Sequence, residues 1–153
     1  MSCCAGAAAY VRDGCRSFRQ PKFECDCCEM LVFRVCGVRQ NFYVFSLYRN
    51  PYLDDQIFDC LESSMAAVLV EDVRVSFLFV GDLNIHHREW LGSTTTNCHG
   101  VAAFDFTTVS GRYQLVVGPT HEVGRTLDLL MTDVPDLELF VVITNRRDLS
   151  HHR

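Results

Sequence analysis

Lysine is almost absent from this 153-residue chain: Lys22 is the only one among 14 lysines and arginines. With a net charge of −5, the sequence offers no broadly basic surface of the kind nucleic-acid binders usually show. A local groove or a bound cation would have to offset that deficit. Arginine supplies nearly all the positive charge, and its planar fork suits phosphate oxygens; a plain compositional bias explains the same count. No apolar run approaches the ~18 residues of a membrane span. The stretch from Met1 to Tyr10 lacks the basic start of a secretory signal. The expectation is an intracellular protein, nuclear or cytoplasmic, that is neither secreted nor bound to a membrane. No P-loop or dinucleotide fingerprint occurs, so no small-molecule cofactor is expected. Ser110-Gly111 stands outside any G-x-S-x-G elbow, which argues against serine hydrolase chemistry.

No repeat, Pro/Gly-rich linker or low-complexity tract divides the chain. Hydrophobic residues make up 48% and charged residues 22%, a composition that argues against disorder. The length suggests one domain able to bury a sizeable core. Cysteine is abundant, at nine residues. Without a secretory signal the thiols are expected to be reduced. Cys25, Cys27 and Cys28 form a C-x-C-C run that lacks a second matching pair for zinc, although Cys3-Cys4 could be recruited. Phe23, Cys25 and Cys27 alternate with Glu24 and Asp26, which reads as a strand with buried cysteines packing as small hydrophobes. A closed four-ligand zinc site is therefore not expected there.

Along the chain, Leu31–Cys36 and Phe42–Leu47 read as strands joined through Gly37. Pro51 ends the second, and Asp54 or Asp55 can cap a helix. Ile57, Phe58, Leu61, Met65 and Val68 recur at helical spacing, which carries that helix to about Val70. Val75–Val80 is the next strand, and Val101–Val109 a short helix. Leu115–Val117, Thr126–Met131 and Leu139–Ile143 are further strands. Strands interleaved with helices give an α/β or α+β fold.

The richest stretch is Phe77-Leu-Phe-Val-Gly-Asp-Leu-Asn-Ile-His-His-Arg-Glu-Trp90. An apolar strand stops at Gly81, and Asp82, Asn84, His86 and His87 follow within six residues. Open α/β sheets place ligands beyond the carboxyl ends of their strands. A carboxylate, an amide and imidazoles at one strand end suit a hard metal ion and a phosphate. The residue types alone also allow Asp82 as a strand-end turn residue, Asn84 as a turn former and Tyr48 as a rim residue. An isolated histidine is more often structural than a ligand, and Trp90 reads as core or groove wall.

Gly81-Asp82-Leu83-Asn84 resembles the GDxN motif of the endonuclease/exonuclease/phosphatase superfamily. The trailing His86-His87 and Glu89-Trp90 resemble the variant found in endonuclease domains of non-LTR retrotransposons, of the jockey-like mobile-element kind. Tyr48-Arg-Asn-Pro51, Gly118-Pro-Thr-His121 and Gly124-Arg-Thr-Leu-Asp-Leu-Leu130 fall in the family's order. The resemblance covers roughly residues 8 to 143, within one partial domain spanning 1–153. It implies a four-layer sandwich of two mixed β-sheets flanked by helices. It also implies a phosphodiester hydrolase using magnesium, or manganese in its place, with DNA as substrate.

By that resemblance Asp82 positions and deprotonates the attacking water, and is the one possible metal ligand. Asn84 hydrogen-bonds the phosphate, Tyr48 points its hydroxyl at it, and Asp128 orients a closing histidine. His86, His87, Thr120 and His121 are candidate substrate-binding residues. The family's opening Asn strand, its metal-binding Glu and its closing Ser-Asp-His strand have no counterpart; Asp148 and His151 are present out of register. The expectation is therefore an internal piece of the domain with little or no nicking activity. Two alternatives stand beside it: a catalytically dead fragment that at most binds nucleic acid or a partner, and a phosphatase of the same superfamily acting on phosphoinositides or sphingolipids.

Overall fold

A computed structural model describes residues 10–26, 28–52, 56–121 and 124–136. Six strands form one mixed sheet: β1 (Ser17–Arg19), β2 (Glu29–Cys36), β3 (Asn41–Tyr48), β4 (Val75–Asp82), β5 (Tyr113–Gln114) and β6 (Asp128–Thr132). Their order across the sheet is β1-β2-β3-β4-β6-β5. Only β3 and β4 run parallel. Helix α1 (Ile57–Glu71) connects them, as a parallel pair requires a crossover. Helices α2 (Arg88–Leu91) and α3 (Cys98–Val109) follow β4. The fold is α+β. The expected second sheet is not seen among the described residues, and the expected strand Leu139–Ile143 and helix caps Asp54 and Asp55 lie outside them. No helix among the described residues is long and apolar enough to cross a membrane.

Period-two alternation decides which side chains go inward. Tyr43, Phe45 and Leu47 on β3, Phe77 and Phe79 on β4, and Leu129 and Met131 on β6 are all buried. Register places them side by side: Val32 opposite Phe45, Phe45 opposite Phe79, Phe79 opposite Met131. Ile57, Leu61 and Val68 of α1 and Ala103 and Phe106 of α3 join the same core. Aromatic rings lie at its centre, with Phe45 to Phe79 at 4.9 Å and Phe79 to Phe106 at 5.6 Å between centroids. Each such pair adds about 0.5–1.5 kcal/mol beyond the burial of area. The Arg112 guanidinium sits over Phe77, Phe79 and Phe106, 5.1–5.8 Å from their centroids. Burial pulls its pKa down from the usual guanidinium range.

Several expected boundaries move. The strand anticipated from Phe23 through Cys27 does not form. Pro21 opens a 3₁₀ turn over Pro21–Phe23, closed by the N–H groups of Phe23 and Glu24 donating to the carbonyls of Gln20 and Pro21. Proline presets the φ angle such a turn needs. The Glu24 carboxylate then accepts from Nε and Nη2 of Arg19, at 2.9 and 2.8 Å, and from the Val32 N–H at 3.1 Å. Glu24 is therefore a pinned loop residue, not the outward face of a strand. Cys25 and Cys28 are half-buried and packed against the core, and Cys27 lies outside the described residues. The expected strand Leu115–Val117 is replaced by the two-residue β5. Beyond it the Gln114 side chain bonds both the N–H and the carbonyl of Val116, so Val116 takes no strand partner. The strand expected from Thr126 begins at Asp128, because Leu127 and Asp128 both donate their N–H groups to the Thr120 hydroxyl. Helix α3 starts three residues earlier than expected, capped by Asn97, whose side chain accepts from the Gly100 N–H at 2.7 Å.

Candidate active site at the ends of three strands

The parallel strands β3 and β4 end together, and antiparallel β6 begins at the same level. Register sets Tyr48 directly opposite Asp82, and Asp82 directly opposite Asp128. Directly opposed residues share one face of the sheet, with Cβ atoms about 5 Å apart. Three of the four expected catalytic residues therefore stand in a row across the strand ends.

The fourth, Asn84, is reached by a loop whose shape is fixed from both sides. Gly81 has φ +150°, and a Cβ there would lie 1.8 Å from the Leu47 carbonyl oxygen. Only glycine allows that approach of β4 to β3. Leu83 and Ile85 bury almost completely and anchor the loop. Between them Asn84 takes φ +49°, and it is the one non-glycine residue with positive φ among the described residues. Asparagine tolerates this left-handed conformation better than most residues. Its N–H donates to Asp82 Oδ1 at 3.0 Å, and its Nδ2 donates to the Arg49 carbonyl at 2.9 Å.

Arg49 is the residue that sequence reasoning missed. It is 1% exposed, although arginine is rarely fully buried unless paired. Its N–H donates to the Asp82 carbonyl at 2.9 Å. Its Nη1 donates to the carbonyls of Leu83 at 3.4 Å and Asn84 at 3.5 Å. Backbone and side chain together lace the end of β3 to the Asp82–Asn84 loop. The signal was the position itself: an arginine directly after an apolar strand, one step beyond a candidate site residue.

Electrostatics mark Asp82. Burial pushes its carboxyl above the usual range, and the neighbouring Asp128 pushes the same way. The Asn84 N–H and His121 pull it down, without cancelling the rise. Perturbed carboxylates of this kind cluster at functional sites. Asp128 is exposed and held by Thr120, whose hydroxyl accepts the N–H groups of Leu127 and Asp128 at 2.9 and 3.0 Å. Thr120 thus acts as a support for Asp128. His121 pairs with Arg125 in an isolated bridge.

His86 is half-buried. Burial first, and Arg125 second, lower its pKa, which favours the neutral ring. Its carbonyl accepts from the Asn97 N–H at 3.0 Å, and a Cβ at Gly100 would lie 2.0 Å from that oxygen. Helix α3 is packed onto this loop as tightly as a glycine permits. His87 is used differently. Its Nδ1 accepts from the Trp90 N–H at 3.1 Å as the cap of α2, and its ring stacks on Phe104 at 5.0 Å. Trp90 is half-buried and lines an open cavity of about 430 Å³ with Val116, Gly118, Pro119 and Thr126. The structure thus brings Tyr48, Asp82, Asn84 and Asp128 together, sets His121 within electrostatic reach of Asp82, and gives His87 to helix capping.

No group of three or more His, Cys, Asp or Glu side chains among the described residues is arranged to hold a metal ion. Asp82 and Asp128 stand opposite each other at the strand ends, and exposed Glu29 stands beyond Tyr48 in the same row. Magnesium usually takes one or two protein carboxylates and keeps several waters, and Asp82 and Asp128 are the adjacent pair that would hold it.

The mixed α+β sheet is similar in fold to a solved structure. One solved structure that it resembles is the endonuclease domain of TRAS1, a telomere-specific non-LTR retrotransposon, with a TM-score of 0.58 and 20% sequence identity. The match covers 77% of this chain and 54% of that one, so the chain spans about half the length of the domain it resembles. No protein-family model matches the sequence, and no curated protein does.

Proposed function

We propose that this chain carries the catalytic face of a metal-dependent phosphodiesterase that cuts DNA, of the retrotransposon endonuclease type. The observation that carries the reading is the row Tyr48–Asp82–Asp128, with Asn84 locked beside it in a left-handed conformation. Hydrolysis of a phosphodiester needs an activated water and neutralised charge on the phosphorane. Asp82, with a carboxyl that holds protons more readily than usual, accepts the proton of the attacking water. Asn84 and the Tyr48 hydroxyl hydrogen-bond the phosphate oxygens, and Asp128 orients a partner on the leaving side. Magnesium, when bound through Asp82, would supply Lewis-acid neutralisation of the developing charge.

Residues 1–153 alone are expected to show little or no magnesium-dependent nicking of supercoiled plasmid. Among the described residues, the strand-end carboxylates Glu29, Asp82 and Asp128 do not form a group arranged to hold a metal ion. Each missing catalytic group typically costs ~10²-fold or more in rate. Supplying segments that carry the missing Asn and Glu, and a Ser-Asp-His end, should raise nicking well above background, and Asp82→Ala should then abolish it. Nicking that survives Asp82→Ala would sink the assignment. The reading of a fragment that only binds nucleic acid draws on the same shortage of metal ligands. It predicts DNA retention with no gain in nicking when the segments are supplied.

A further inference from the structure

The loop that enters β2 carries a second piece of chemistry, distinct from that of the strand-end carboxylates. Cys25 and Cys28 place their sulfurs 3.9 Å apart. They stand in C-x-x-C spacing across a turn at Asp26. The i, i+3 spacing of a C-x-x-C pair is compatible with the Cα separation a disulfide accepts. An S–S bond of about 2.05 Å needs the sulfurs to close by roughly another 2 Å. Rotation about χ1 of either cysteine to a neighbouring staggered position is a movement of that scale. Both residues are half-buried, so a small disulfide reagent has access and the pair is not sealed in the core.

We propose that Cys25 and Cys28 are a redox dithiol that closes to an intramolecular disulfide. The step balances with a disulfide oxidant such as oxidised glutathione. One cysteine thiolate attacks it and releases one glutathione thiol, forming a mixed disulfide. The second cysteine displaces the other glutathione, and the two protons end on the two glutathione molecules released. The bond staples the link between the 3₁₀ turn and β2. Phe23, at the end of that turn, is buried edge-on against Tyr43 with centroids 5.9 Å apart. Glu29, one residue past Cys28, begins the pairing of β2 with β3 opposite Tyr48. Oxidation therefore restrains the entry to the sheet from its edge side, and the effect should appear in stability.

The test uses the full chain treated with oxidised glutathione, quenched with an alkylating agent and mapped by peptide mass spectrometry. The expected result is a Cys25–Cys28 linkage, a rise in the urea midpoint reversed by dithiothreitol, and a glutathione adduct on Cys28 in Cys25→Ser. Exposed Cys15 and Cys98 serve as reference thiols within the same digest. Linkage of either residue to Cys27 instead would overturn the assignment. So would Cys25 and Cys28 both remaining alkylatable while Cys15 and Cys98 become glutathionylated. A stoichiometric zinc ion that protects both thiols from oxidation, with zinc chloride as the probe, would overturn it as well. The readout on unmutated protein keeps the test valid even if Cys25→Ser folds poorly.

Discussion

The same two strands carry two regions of opposite character. In their middle, Phe45 and Phe79 are completely buried and lie 4.9 Å apart. Three residues further along each strand, Tyr48 and Asp82 face each other at the rim. In the middle, local pattern, packing and burial agree. At the rim they conflict: a half-buried carboxyl and a left-handed asparagine after β4 meet a fully buried arginine after β3. Such conflicts are expected where a structure serves a site and not its own stability. If so, substitutions in the middle should cost stability alone. Changes at the rim should separate stability from activity, sometimes with opposite sign.

The largest effect should come from the middle. Phe79 touches Phe45, Phe77 and Phe106 and forms part of the platform under Arg112. Phe79→Ala is expected to lose about 3–5 kcal/mol, the usual cost of a large cavity at a buried aromatic. Urea unfolding followed by circular dichroism checks it. A loss under 1 kcal/mol would mean that the aromatic cluster is not the centre of the core.

Arg49 comes next, and it joins the two regions. Arg49→Met keeps much of the buried volume but leaves the Leu83 and Asn84 carbonyls without the Nη1 donor. Unsatisfied buried polar groups cost about 1–3 kcal/mol, so a loss of about 2 kcal/mol is expected. Arg49→Lys should recover only part of it, because an ammonium lacks the guanidinium fork. Binding of DNA should weaken in the methionine variant even under conditions where circular dichroism shows it fully folded.

Most of this was legible in the sequence where one physical pattern ruled. The strands β2, β3 and β4 followed from alternation, α1 from 3.6-residue spacing, and the line of Tyr48, Asp82 and Asp128 from strand ends with family-like motifs. What was not legible depends on contacts distant in sequence. Glu24 looked like the outward face of a strand because its bonds to Arg19 and to the Val32 N–H cannot be read from local pattern. Arg49 looked like one more basic residue, since its carbonyl partners lie 34 and 35 positions away. The capping role of His87, whose Nδ1 accepts from the Trp90 N–H, could not be read from its place in the motif. The second sheet implied by the family resemblance was not found among the described residues.

At Asp82 the comparison reverses sign. Its carboxyl is raised in the folded protein, so the folded state binds more protons than the unfolded one between the two pKa values. Stability therefore falls as pH rises from the unfolded value through the folded one, and the penalty is fully present at neutral pH. Asp82→Asn removes that penalty and retains an oxygen to accept the Asn84 N–H. The variant should be more stable at pH 7 by about 1 kcal/mol at most, because water screens a half-exposed carboxyl. It should also lose the fall in stability across the acidic range. Melting temperatures from pH 3 to pH 8 decide the matter. Parallel curves for wild type and variant would show that Asp82 carries no strain.

The smallest effect isolates the left-handed residue beside it. At φ +49° a side chain with a Cβ is disfavoured by about 1–2 kcal/mol, whereas glycine adopts the conformation freely. Asn84 offsets some of that cost through its Nδ2 bond to the Arg49 carbonyl. Asn84→Ala keeps the Cβ and loses the bond, so a loss of about 1 kcal/mol or slightly more is expected. Asn84→Gly loses the bond and also relieves the backbone, and its net change should stay within about 0.5 kcal/mol of wild type. The two variants then differ in stability but not in chemistry, since neither has an amide to offer a phosphate. If Asn84 serves the site, both should lose nicking equally when measured in the extended protein. If it serves only the turn, the glycine variant should keep wild-type activity. That outcome would move Asn84 from the rim's chemistry to its architecture, and leave Asp82 and Asp128 as the functional pair.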